Sequence, residues 1–156
     1  MQQQTVLPTP TRATSAVQHQ IAAVEKWDMA QEKRYMVNKF GITPERADRL
    51  ETEFKRYLVL CAIHNDSFPI SKPVDEIWHV ALLDHVKYAG LEESAGRRFI
   101  HRMTLSAEDD QALLPLYHSR TLPRYMAEFG ESANEELWPR DHCVCTCCDC
   151  IEVIVQ

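Results

Sequence analysis

A chain of 156 residues is the size of one domain, and 45% hydrophobic with 26% charged residues is the composition of a soluble globular protein. The formal net charge of −6, with lysine and arginine scattered, argues against a nucleic-acid surface, and no run approaches the roughly 18 to 20 apolar residues of a membrane span. With only 4 glycines and apolar residues returning mainly at three and four positions, helices are favoured over strands.

Residues 1 to 12 are polar, lack the apolar core of a signal peptide, and are expected to form a disordered arm. From Ala13 to Phe40, Val17, Ile21, Val24, Trp27 or Met29, Met36 and Phe40 return at helical spacing, which predicts one long helix or two broken near Asp28. Gly41 supplies the stop. Thr43 then stands where an N-cap belongs, with Pro44 at the first helical position and Glu45 in the first turn. Ala47, Leu50, Phe54, Leu58 and Cys61 form the stripe of that helix to be buried, and Glu45, Arg46, Arg49, Glu53 and Arg56 read as its solvated face.

Asn65 to Lys72 reads as a loop pinned by Phe68 and Ile70. A helix is predicted from Pro73 through Tyr88, ending around Glu93 to Gly96. Ser106 caps a further helix carrying Leu113, Leu114 and Tyr117. The chain can restart after Thr121-Leu122-Pro123 as a short helix that ends at Gly130. The expected architecture is all-α, a compact bundle of four to five helices over residues 13 to 139, with a cysteine-rich appendage over residues 140 to 156.

The chemistry-bearing stretch lies between Pro73 and His101. On one continuous helix, Asp75, Trp78, His79, Leu82, Val86 and Ala89 share a side, with Glu76, Val80, Asp84 and Lys87 opposite. An acid and an imidazole thus sit in the apolar stripe although a polar face is available, and something must satisfy them. Asp75 and His79 are four residues apart and can meet. His101, in R-R-F-I-H after a turn that could fold back, is the best third member, and His85 points about 120° away from His79. Imidazole plus carboxylate is a ligand set for Zn²⁺, or with open positions for Fe²⁺ or Mn²⁺. Two metal-free alternatives stand beside it: a hydrogen-bonded cluster that specifies packing, and an acid/base pair acting on a substrate. Arg97, Arg98 and Arg102 around His101 read as a solvated helix end or an anion contact.

The pattern V-D-E-I-W-H-x-x-L-L-D-x-x-x-Y followed by F-I-H resembles the central motif of the glycine-rich domain-containing protein-like family, over about a fifth of the chain. The match falls on Asp75, Trp78, His79, Asp84, Tyr88 and His101. Two positions depart from the family pattern: the second histidine of W-H-x-H is Ala81 here, and the threonine after L-D is His85. The resemblance implies an α-helical module with a polar or metal site and names no reaction.

The tail changes character to D-H-C-V-C-T-C-C-D-C-I-E-V-I-V-Q. His142, Cys143, Cys145, Cys147, Cys148 and Cys150 are dense enough to hold Cu(I) or a zinc-thiolate cluster. Disulfides, within or between chains, and a modified peptide are the other readings of this tail. The closing I-E-V-I-V-Q could add as a strand to a partner or a second copy. The combined expectation is a small cytoplasmic metal-binding helical protein, binding zinc or copper through Asp75, His79 and His101 and through the tail. It has no nucleic-acid or membrane partner in this reading, and the tail is a route to a homo-oligomer or protein partner. The alternative is an interaction or assembly subunit, with an enzyme third.

Overall fold

A computed structural model describes residues 15–101 and 106–141, and they are all-α. Helices α1 (Ser15–Lys26) and α2 (Ala30–Phe40) come from the stretch read as one helix or two. The break has a physical cause. The Asp28 carboxylate accepts from the Ala30 amide at 2.9 Å, and the Lys55 ammonium takes the Trp27 and Glu25 carbonyls at 2.6 and 3.3 Å, so both loose ends are satisfied. Gly41 ends α2 in the left-handed region at φ 66°.

Helix α3 (Pro44–His64) starts at Thr43, whose hydroxyl accepts from the Arg46 amide at 3.1 Å. It packs against α1, α2, α4 (Lys72–Leu83) and α7 (Leu122–Phe129), which makes it the axis of the fold. Leu50, Phe54, Leu58 and Leu60 along it are fully buried. Burial of each such side chain contributes about 1.5–3 kcal/mol against exposure. Glu53, expected on the solvated face, is instead buried: its Oε2 accepts from the Tyr125 hydroxyl at 2.7 Å and the Trp138 indole at 2.9 Å.

The stretch read as one helix from Pro73 past Tyr88 breaks at Asp84 into α4 and α5 (His85–Ala95). Asp84 leaves helical geometry at φ −98°, ψ 81° and its carboxylate caps the Lys87 amide at 3.0 Å. The break rotates the second half of the stripe. Val86 is 72% exposed and Ala89 is exposed, while Tyr88 and Leu91 are buried. Helix α6 (Ala107–Leu116) is capped by Ser106, whose hydroxyl accepts from the Asp109 amide at 3.1 Å. It continues through a π-helical turn, Tyr117–Thr121, into α7. No described helix is long and apolar enough to cross a membrane.

Candidate metal centre

Three elements bring the central residues together. Ser71 caps α4, accepting from the Val74 amide at 3.3 Å while donating to the Leu137 carbonyl at 2.5 Å. That fixes the first turn, where Asp75 sits against the positive end of the helix dipole. His79 follows one turn on. Gly96 then closes α5 at φ 66°, with its amide on Glu93 O and the Arg97 amide on Glu92 O, each at 3.1 Å. This turn sends residues 97–101 back across α4.

The returning strap is held at several points. The Phe99 amide donates to Glu92 Oε2 at 2.8 Å, and Arg97 reaches Asn65 Oδ1 at 2.6 Å. The Tyr88 hydroxyl accepts from the Trp78 indole at 3.0 Å and donates to the Phe99 carbonyl in a short hydrogen bond. The His101 ring stands edge-on to Trp78 at 4.6 Å and to His79 at 4.7 Å between centroids.

Asp75 Oδ1 lies 2.6 Å from His101 Nε2, Asp75 Oδ2 lies 3.1 Å from His79 Nε2, and the two Nε2 atoms are 3.0 Å apart. Asp75 is 1% exposed. Burial pushes its carboxyl up, but the His101 hydrogen bond and the two neighbouring imidazoles outweigh this and hold it below the usual carboxylate range. Each imidazole nitrogen offers either one proton or one lone pair. If both Nε2 atoms carry protons, two N–H groups face each other. If only one does, a lone pair on the other faces a carboxylate oxygen. Asp75 Oδ2 is indeed buried without a well-formed hydrogen bond. A cation among the three takes a lone pair from each of them at once. Donors at about 2.0–2.1 Å from an ion are about 3.0–3.4 Å apart, so the His79 separations of 3.0 and 3.1 Å already fit and the 2.6 Å between Asp75 and His101 would open by about 0.4–0.8 Å.

Among the described residues, Asp75, His79 and His101 form the group of donors that could hold a metal ion. His85 is exposed at the start of α5 and takes no part. Ala81, about 200° around the helix from His79, is buried in the core, so the departure at this position leaves the cluster untouched. His142, Cys143, Cys145, Cys147, Cys148 and Cys150 lie outside the described residues, as does the arm over residues 1 to 12.

A cleft of about 190 Å³ adjoins the cluster. Asp75, Trp78 and His101 line it, with Phe68, Ile70, Ile100, Leu113 and Leu116 as apolar wall and Arg120 beside them. Its floor is sewn down by Tyr57, which donates to the Phe68 carbonyl at 2.6 Å, and by Thr121, which donates to the Pro69 carbonyl at 2.7 Å. The larger groove of about 560 Å³ between α1 and α5 contains none of the three donors. Local sequence pattern carries no signal for this cleft, because its lining comes from five separate stretches. Comparison of the chain with protein-family models, with curated proteins and with solved structures gave no match.

Proposed function

We propose that this is a small metal-binding helical protein in which Asp75, His79 and His101 hold one divalent ion, with zinc the best fit to two imidazoles and a carboxylate. The observation that carries the reading is the convergence of two Nε2 atoms on a buried carboxylate whose Oδ2 lacks a well-formed hydrogen bond. The tail from His142 to Cys150 is proposed as a second, thiolate-rich site suited to zinc or Cu(I), in a protein of the cytoplasm. Membership in the glycine-rich domain-containing protein-like family belongs to the same proposal. Its support is that Trp78, Asp84 and Tyr88 of the motif each make a hydrogen bond that shapes or braces the cluster.

The test is elemental analysis of the purified full chain beside His79→Ala and a chain lacking residues 143–150. Metal reduced by each change supports two sites. Metal that vanishes with the tail alone overturns the internal site. Absence of metal from every sample favours the rival reading, an interaction or assembly subunit, for which exposed Val86 and Leu83 at the α4–α5 junction offer a contact surface.

A further inference from the structure

We propose that the cleft lined by Asp75 and His101 receives a compact apolar monocarboxylate, whose carboxylate meets the ion held by the cluster; this rests on the metal reading above. Size comes first. A cleft of about 190 Å³ is slightly larger than the roughly 150 Å³ that encloses benzene, so it takes one ring or one branched chain with a small head group. Its wall chemistry comes second. Phe68, Ile70, Trp78, Ile100, Leu113 and Leu116 offer hydrocarbon and aromatic surface, which favours an apolar body.

Charge selects the head group. A divalent ion less the Asp75 carboxylate leaves a net positive charge beside this apolar wall, and three protein donors leave at least one position of a tetrahedral ion open. The cleft adjoins two of those donors. An anionic oxygen satisfies both the charge and the open position, whereas a cationic head would meet like charge. Arg120 does not compete for the head group as an isolated charge, because it is paired with Asp66 at 2.5 Å and its guanidinium lies 5.5 Å from the Phe68 ring centroid. In the metal-free chain the Asp75 carboxylate would repel the same anion. Binding therefore requires the ion.

The experiment loads the full chain with Co²⁺ and follows its visible absorption as benzoate or acetate is added, with His79→Ala and Leu116→Trp alongside. Leu116 is 41% exposed, so the larger ring can occupy the cleft with little disturbance of the core. Benzoate is expected to shift the absorption saturably in the unmodified chain and to leave it unchanged in His79→Ala. Acetate, without an apolar body, and benzoate on Leu116→Trp are each expected to bind about tenfold more weakly. Cobalt bound at the His79-dependent site with no response to benzoate overturns the ligand and leaves the metal reading standing. Acetate binding as tightly as benzoate overturns the role of the apolar walls, whatever the behaviour of Leu116→Trp. Absence of any His79-dependent cobalt signal overturns the metal reading and this inference with it.

Discussion

The Trp78 indole N–H donates to the Tyr88 hydroxyl at 3.0 Å across the junction between two helices. Tyr88 in turn donates to the Phe99 carbonyl, two residues before His101, so one hydroxyl couples α4, α5 and the strap. This is an outer support of the kind that orients metal ligands.

Tyr88→Phe removes that hydroxyl and leaves a buried indole N–H and a buried carbonyl without their partner. The expected cost is about 1–3 kcal/mol in urea unfolding, with metal affinity of the proposed centre reduced about 10–100-fold. Parallel unfolding and competitive chelator titrations check both numbers. Unchanged metal affinity would show that the strap is positioned without Tyr88.

Glu53 is the acceptor that holds Tyr125 and Trp138, and its other oxygen lies 3.4 Å from Arg56. Glu53→Ala leaves two buried donors, the Tyr125 hydroxyl and the Trp138 indole, without their acceptor, while Arg56 keeps Glu131 at 2.6 Å. A loss of about 2–6 kcal/mol is expected, larger than that for any surface glutamate. Chemical denaturation of Glu53→Ala beside Glu135→Ala, an exposed position, makes the comparison.

Glu51 sits between Lys33 and Lys55, at 2.6 and 3.0 Å. Burial pushes its carboxyl up, but hydrogen bonds from Lys33 and Lys55 prevail and place it below the ordinary value of 4.5. A carboxyl depressed in the folded chain contributes stability above its unfolded pKa, and that contribution fades as pH falls through the folded value. Glu51→Gln is therefore expected to be less stable than the unmodified chain by about 1 kcal/mol at pH 7, with the gap closing below pH of about 4. Urea midpoints of the two chains across pH 3 to 7 test the sign.

Burial pushes the Cys61 thiol up to about 11. Since the thiolate is the nucleophile, Cys61 should resist alkylation at pH 8 in the native chain and react once urea unfolds it. Peptide mapping after iodoacetamide treatment reads this site separately from the tail cysteines. Native labelling of Cys61 would indicate that α3 opens locally.

Much of this was legible from short-range signals. Thr43, Pro44 and Gly41 carry their own stereochemistry, and the pairing of Asp75 with His79 follows from a spacing of four. The break at Asp84 was hidden because Leu82, Leu83 and Val86 continue an apolar rhythm with no glycine or proline, and an aspartate on a polar face looks the same as one that caps a new helix. Glu53 was misread for a different reason. Its neighbours Arg49 and Arg56 are charged, while its partners Tyr125 and Trp138 lie 72 and 85 positions away. Long-range burial of a single acid leaves no periodic trace.

His101 reaches Asp75 across 26 positions of chain. Two donors are set as soon as the first turns of α4 form, but the third arrives only after α5 and the Gly96 turn have closed a long loop, a step with an entropic cost of its own. The cluster therefore reports completion: it is whole only once that loop has closed, and a ligand that needs all three donors binds the finished chain in preference to any chain in which the loop is open. Mass action then draws the population toward the native state, so the loop that delivers His101 is the one an ion would hold shut.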